Sequence, residues 1–417
     1  MRSLDYVTLI LAGGDGKRLG VLTKEIPKPA ITFGGVYRLI DFTLSNCKHS
    51  NVGVMGLITQ YGQHDLADYI GSGSQWLPEN KNAELTVLHP KPENGKYSYY
   101  KGTADAILKN SDFVEQYNPR NILVLSGDHI YKMDYAKMLE AHENSGAAVT
   151  VAATNVPLSE ASRFGIMKTN ENNVITSYEE KPKRPSSDLA SMGVYVFNWA
   201  KLKKYLHPKS MDLKSDKDIG GDIIPKMFMA EEKLSAYFFD GYWKDIGNIY
   251  SLWEANMELL AAPPSICLDD DRWGIISRNN GMKLQHKDSY SGKGHIVNSL
   301  ITEDCINSGT VMRSVISAGV EIGEDVKIVD SVIMPGVKIG KGSFILKAII
   351  GANTTVEEYT AIGDVKPDGK CLDNYQGVSV VGNNINVCTR IGISSFSFAD
   401  FFQPPQNRGF CFDVQVR

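Results

Sequence analysis

Two short stretches carry residues whose types and spacing could do chemistry. The first is Val7-Thr-Leu-Ile-Leu-Ala-Gly-Gly-Asp-Gly-Lys-Arg-Leu19, where a mainly apolar, partly β-branched run (Val7 to Leu11) empties into a turn of glycines and basic side chains. Glycines allow positive φ and close approach, and their N–H groups donate to phosphate oxygens, so Ala12 to Arg18 suits a polyphosphate. A tight structural turn is the other reading. The spacing is neither GxGxxG nor GxxxxGK[ST], so neither common phosphate-loop fingerprint applies. The second stretch is Ser126-Gly127-Asp128, at the carboxyl end of the apolar run Ile122 to Leu125. A carboxylate there suits Mg²⁺, a hard cation that takes one or two carboxylates plus phosphate oxygens. As an alternative, Asp128 caps a turn or helix. His129 beside it reads as a packing histidine rather than a base.

The elements that must position these groups are legible as alternation. Strand-like runs occur at 7–11, 54–59, 122–125, 148–153, 174–179, 193–197 and 234–239. Between the third and fourth, Asp134 is an N-cap, Met138, Leu139 and Ala141 lie within a helix, and Gly146 stands just past its end. From Thr103 a second helix puts Ala104, Ile107, Leu108, Ser111 and Val114 on one face. Such alternation implies a mainly parallel sheet covered by helices, with ligands at the carboxyl ends of the strands. Helical sequence ending at Leu260 runs into Ala261-Ala262-Pro263-Pro264, which marks a linker. Beyond about residue 291 aliphatic residues recur at six-residue steps: Ile322, Ile328, Met334, then, after a one-residue slip, Ile339, Ile345, Val356 and Ile362. That rhythm suits a parallel β-helix with one face per hexapeptide. Residues 386–417 leave it and carry Phe396, Phe398, Phe401, Phe402, Phe410 and Phe412, with no structure assigned.

Composition narrows the class. The 417 residues are 42% hydrophobic and 22% charged with a net charge of −4, which favours a packed core and disfavours nucleic acid as the main partner. No apolar run is long enough for a membrane span, and strand-like sequence from Tyr6 is read as leaving no room for a signal or transit peptide. The six cysteines and eight histidines fall in no CxxC, HxxxH or HExxH pattern, so reduced thiols in a cytoplasmic protein without a zinc site are expected.

Gly13-Gly-Asp-Gly-Lys-Arg-Leu19, followed ten residues after Arg18 by Lys28-Pro29, resembles the sugar-phosphate nucleotidyltransferase signature GGxGxRL…KP. The blocks Phe33–Asn46, Tyr99–Ala106, Ser126–Tyr135, Glu179–Pro182, Leu189–Gly193 and Gly241–Gly247 look like its bacterial-type glucose-1-phosphate adenylyltransferase (ADP-glucose pyrophosphorylase) branch. The resemblance implies an α/β fold: a Rossmann-like mixed, mainly parallel sheet domain at 1–260, a linker at 261–290, and a C-terminal left-handed parallel β-helix of hexapeptide repeats at 291–385 for assembly and regulation, followed by the 386–417 tail.

It also implies roles. Transfer of AMP from ATP to α-D-glucose 1-phosphate needs no strong base, because the attacking phosphate oxygen is already anionic; cations, amides and a metal must hold two polyanions together. Arg18, Lys28 and Asp128 are then catalytic. Leu11, Ala12, Gly13, Gly14, Gly16, Tyr100 and Gly102 lie on the ATP side, although Tyr100 also reads as a packed aromatic and Arg18 and Lys28 as solvated charges. Gly165, Glu180, Lys181, Ser191, Gly193 and Asp218 lie on the glucose 1-phosphate side, and Asp128 with Asp245 holds Mg²⁺. Lys24 and Arg38 are candidates for an effector site, with sugar-phosphate or nucleotide effectors, and a homotetramer or a heteromer with a regulatory homologue is implied. Three positions depart from the family: Asp15, where many bacterial members carry a basic residue; Glu25, where some carry a lysine linked to a sugar-bisphosphate activator; and Gly221, in place of a usual lysine. Competing readings are an enzyme using another nucleoside triphosphate, a non-catalytic regulatory subunit, and a hexapeptide acyltransferase. The last typically needs a histidine on the coil, and none follows His295.

Overall fold

A computed structural model describes residues 5–14, 16–60, 63–79, 82–93, 96–97, 99–206, 217–278, 284–289, 294–363, 376–388 and 415–416. Nine strands form one mixed sheet. Its parallel half sets Glu84–Leu88, Val54–Ile58, Tyr6–Leu11 and Asn121–Ser126 side by side. Alternate residues of these strands feed two separate cores, Val7, Leu9 and Val124 on one face and Ile10, Leu123 and Leu125 on the other. Burial on both faces is why these strands read as continuous apolar runs. The long strand Leu189–Asn198 joins Asn121–Ser126 antiparallel and also pairs with Val149–Asn155 and Gly165–Thr169. All seven strand-like runs are strands. Two further strands lie outside those runs: Glu84–Leu88, the half-buried edge of the sheet, and Gly165–Thr169.

The helix at Tyr135–Ser145 keeps its expected caps: Asp134 Oδ1 accepts from Ala136 N at 3.0 Å, and Gly146 closes it in the left-handed region. The helix expected from Thr103 is two short pieces, Thr103–Lys109 and Ser111–Glu115. Asn110 divides them, its Nδ2 donating to Ala106 O at 2.8 Å and to Tyr100 Oη at 3.1 Å, a side-chain alternative to the backbone ladder. Among the described residues no helix is long and apolar enough to cross a membrane.

In the second half, parallel strands stack into a coil. Ile322 pairs with Ile339 and Ile339 with Val356, while Val311, Ile328, Ile345 and Ile362 form a second column. Each of these middle coils is thus 17 residues, the separation also seen between Ser314 and Ser331, whereas the step from Ile296 to Val311 is 15 and that from Val356 to Val387 is 31. Three six-residue faces would need one residue more, which is the slip before Ile339. A ladder of buried hydroxyls marks one corner: Ser314 N donates to Ser299 Oγ, Ser331 N to Ser314 Oγ, and Ala348 N to Ser331 Oγ, each at 3.1 Å. Within the stretch read as linker, Leu284–Ser289 pairs antiparallel with His295–Thr302. The last coil includes Asn386–Cys388, on which Gln415–Val416 lies antiparallel. The two halves share one hydrophobic cluster, in which Leu19, Leu22 and Phe33 meet Leu300, Val315, Val332, Ile349 and Val378.

His142, buried in the helix at Tyr135–Ser145, exchanges hydrogen bonds with Thr150 Oγ1 at 2.8 Å and Asn121 Oδ1 at 3.3 Å. Burial pulls its pKa down from 6.5 to about 4. A pKa lowered on folding contributes stability above the unfolded value and loses it as pH falls through the folded one. Thermal melts should therefore show part of the stability disappearing between pH 6.5 and pH 4, and His142→Gln should flatten that window. An unchanged slope in the variant would assign the loss to other groups.

Candidate functional site

Register brings the two chemical stretches together. Tyr6–Leu11 and Asn121–Ser126 run parallel with Leu11 opposite Ser126, so the glycine loop and Asp128 emerge side by side at the carboxyl edge. Ala12 N donates to Ile58 O at 2.9 Å and Gly127 N to Leu11 O at 3.0 Å, which anchors both turns to the sheet. Gly16 has φ of +61°, and a methyl group there would stand 2.8 Å from Thr23 Cγ2 and 3.2 Å from Lys28 Cβ. The turn therefore needs glycine for conformation and for space. Asp15 lies outside the described residues. Gly14 and Arg18 are exposed at the loop.

A third segment completes the centre. Trp243–Asp245 pairs antiparallel with His129–Tyr131, placing Asp245 opposite His129 and so beside Asp128. The Lys28 ammonium stands 2.8 Å from Asp128 Oδ2 and 3.2 Å from Asp245 Oδ1, and all three side chains are at most 20% exposed. Arg163 Nη2 holds the other oxygen, Asp245 Oδ2, at 2.9 Å, and Ser126 Oγ donates to Asp128. His129 Nε2 is 3.6 Å from Asp128 and 3.7 Å from Asp245, while its Nδ1 lies 3.1 Å from Met192 O. A carbonyl only accepts, so Nδ1 carries the proton in this hydrogen bond. His129 is thereby fixed in orientation, as a packing role requires. Gly247 backs the cluster: a Cβ there would collide with Arg163 Nη2, and would stand 2.9 Å from Asp245 Oδ2 and 3.4 Å from Arg18 Nη1.

The electrostatics follow from burial. Burial is the largest single influence and would raise both carboxyls, but Lys28 and His129 acting together, with the Ser126 hydrogen bond at Asp128 and Arg163 at Asp245, outweigh it and hold both below the usual carboxylate range. Burial would likewise lower Lys28, yet the two carboxylates keep its pKa above the ordinary lysine value. Among the described residues no group of three or more His, Cys, Asp or Glu forms a metal cage. Asp128 and Asp245 are a two-carboxylate pair that would rely on a ligand's own oxygens for the rest of a coordination shell.

A second set of groups lies along the sheet. Glu180 ends the strand Ile175–Glu180 opposite Gly165, accepts from Tyr178 Oη at 2.9 Å, and has Lys181 Nζ 3.1 Å from its Oε1. Lys181 is in the left-handed region, φ 45°, and its N–H donates to Phe164 O at 3.0 Å. Gly165 and Gly220 pack against Glu180; a methyl at 220 would stand 2.6 Å from Oε2. Asp218 starts that neighbouring turn and accepts from Thr103 N at 2.9 Å and Thr103 Oγ1 at 3.1 Å. It thus ties the turn to Thr103, the first residue of the helix that follows Gly102. Gly193 lies in a bulge of Leu189–Asn198, close to His129, with its N–H 3.3 Å from Ser191 Oγ. Tyr100 N donates to Gln60 Oε1, and Tyr100 is buried at its ring. Gln60, Arg163 and Gly220 had no sequence signal of their own and only the fold shows them, whereas Gly247 closes the block Gly241–Gly247 and the fold shows what it leaves room for. Lys24 is exposed, whereas Arg38 pairs with Asp65 at 2.7 Å and lies 4.1 Å over the Tyr69 ring.

A phosphate-suited loop and a carboxylate pair at the carboxyl edge of a parallel half-sheet define the class. The family model described as nucleotidyl transferase matches residues 7–262, and one described as GlmU-like, C-terminal hexapeptide, matches 282–381. A glucose-1-phosphate adenylyltransferase of Desulforamulus reducens is 46% identical over 389 residues, covering 93% of this chain and 96% of its own. Enzymes of the same name from Bacillus cytotoxicus and Bacillus mycoides are 48% and 47% identical, covering 88% and 85% of this chain and 96% and 94% of theirs. The chain belongs to the glucose-1-phosphate adenylyltransferase family of nucleotidyl transferases.

Lys28→Met would leave two buried carboxylates facing each other with Arg163 as the nearest guanidinium. Urea unfolding at pH 7 should show a loss of about 3 kcal/mol, the usual cost of breaking a buried pair. In the wild type the lowered carboxyl pKa values stabilise above the unfolded value of 3.8 and lose that effect only as pH falls below it. In the variant the uncompensated carboxyls should take up protons more readily, so its deficit should shrink between pH 7 and pH 5. Equal stability of both proteins at pH 7 would refute the account.

Proposed function

We infer that the chain transfers the AMP group of ATP to α-D-glucose 1-phosphate, giving ADP-glucose and pyrophosphate for glycogen or starch synthesis. The observation that carries this is Lys28, with its ammonium between Asp128 and Asp245, at the mouth of the loop Gly13 to Arg18. A place where two carboxylates already converge on one cation fits Mg²⁺ coming in with a phosphate. Bound there, Mg²⁺ would neutralise charge on the α-phosphate and on the departing pyrophosphate.

The chain's own residues do the rest. The amides of Gly13, Gly14 and Gly16 and the guanidinium of Arg18 take the triphosphate, with Tyr100 and Gly102 beside the base. Glu180 accepts from sugar hydroxyls, and Lys181 neutralises the sugar phosphate. Gly165, Ser191, Gly193 and the Asp218 turn shape that half of the site. One phosphate oxygen of the sugar then attacks the α-phosphorus, the bond to the β-phosphate oxygen breaks, and its electron pair leaves on pyrophosphate. Holding two anions in line, rather than removing a proton, is the work required. Lys28, Arg18 and Arg163 supply the fixed positive charge for it.

The same reading includes a homotetramer in the cytoplasm, regulated by sugar-phosphate or nucleotide effectors. These rest on the family alone. The non-catalytic subunit is the second reading, and the presence of Arg18, Lys28, Asp128, Lys181 and Asp245 in one chain disfavours it.

The purified chain should release pyrophosphate and form ADP-glucose from ATP and glucose 1-phosphate only when Mg²⁺ is added. Asp128→Asn should lower kcat about 100-fold or more while circular dichroism stays unchanged. No product with any nucleoside triphosphate would sink the reading and leave the regulatory subunit.

A further inference from the structure

The segment between the glycine loop and Lys28 is held by the far end of the chain. Residues Lys17–Thr23 form a short helical run broken at Gly20, whose backbone is non-helical. Thr23 Oγ1 reaches back to Gly16 O at 2.9 Å, and Leu19 N donates to the same carbonyl at 2.7 Å. The run is therefore one piece with the phosphate loop. Against it lies the turn Gly382–Asn384 of the last β-helix coil.

Two adjacent asparagines make the join. Asn383 Nδ2 donates to Leu22 O at 3.1 Å, while its Oδ1 accepts from Ala352 N at 2.9 Å on the preceding coil. Asn384 Nδ2 donates to Glu25 Oε2 at 2.9 Å, and its Oδ1 accepts from Asn353 Nδ2 at 3.3 Å. Each amide thus spends one end inside the β-helix and the other on the segment 22–25. Thr354 Oγ1 fixes the turn itself by donating to Gly382 O at 2.8 Å. Packing agrees: Leu19 and Leu22 are at most 2% exposed and share a cluster with Val332, Ile349 and Val378 of the coils. A Cβ at Gly382 would stand 3.3 Å from Val21 Cβ, so the backbones approach closely.

We propose that Asn383 is a positioning residue for the transfer reaction, and Asn384 its support: the last β-helix coil sets the phosphate loop through Leu22, Thr23 and Gly16. The β-helix is then part of the ATP half of the site. The route contains no groups of the sugar half, so its effect should fall on ATP. This rests on the nucleotidyl-transfer reading above.

The test is Asn383→Asp. That change keeps an oxygen for Ala352 N, removes the donor to Leu22 O, and turns a carboxylate toward that carbonyl. KM for ATP in the full-length chain should rise about fivefold, as for one lost hydrogen bond, with calorimetric ATP affinity falling in step. KM for glucose 1-phosphate should stay within about twofold. A merely structural defect would move both constants. Asn384→Ala, a change at an exposed contact, should raise KM for ATP by about twofold; if Asn383→Asp does not fold, this variant decides. Unaltered ATP affinity in Asn384→Ala and in any folded Asn383→Asp, or equal rises in both KM values, would overturn the proposal. Wild-type chain that makes no ADP-glucose would instead overturn the transfer reading itself.

Discussion

The rest of the site depends on one ammonium group between two carboxylates. Lys28 lies 2.8 Å from Asp128 and 3.2 Å from Asp245, almost out of reach of water. Burial works against each charge separately, and Lys28 is the cation that both carboxylates share. The arrangement also shows why three remote segments must meet. The strand Asn121–Ser126 delivers Asp128, the pairing of His129 with Asp245 delivers the second carboxylate, and the turn closed by Gly16 and Thr23 delivers Lys28. Arg163 then takes the outer oxygen of Asp245. The result is a balanced cluster with fixed charge, the kind of preorganised environment that phosphoryl chemistry exploits.

Around this centre the two halves of the chain are mechanically continuous. The β-helix shares a hydrophobic cluster with the run after the glycine loop, and its last coil hydrogen-bonds that run directly. Glu25, where some family members carry a lysine linked to an activator, is engaged here by Asn384. Stacked coils suit such a role, since each strand pair is set by its neighbours above and below.

Much of the function could be read from residue order. The glycine loop, the carboxylate after an apolar strand and the spaced family blocks each mark a place where backbone and chemistry are local. Local signals failed in two ways. Asn110 divides what periodicity made one helix, because a side-chain amide competes with the backbone. Glu84–Leu88, though it carries Leu85, Val87 and Leu88, is short and is paired only as the edge of the sheet, which the chain order does not announce.

By itself the sequence determined the strand-to-loop transitions, the hexapeptide rhythm and the identity of the charged groups, since these depend on neighbours within a few residues. Only the tertiary structure decided which charges meet. Asp245 reaches Asp128 through a two-strand pairing across more than a hundred residues, Arg163 enters because Gly247 leaves it room, and Asn383 meets Leu22 from 361 residues further along the chain. Such contacts are set by register and close approach, which no local pattern encodes. The balance of charge in the site, and the hold of the last coil on the phosphate loop, are therefore properties of the folded chain.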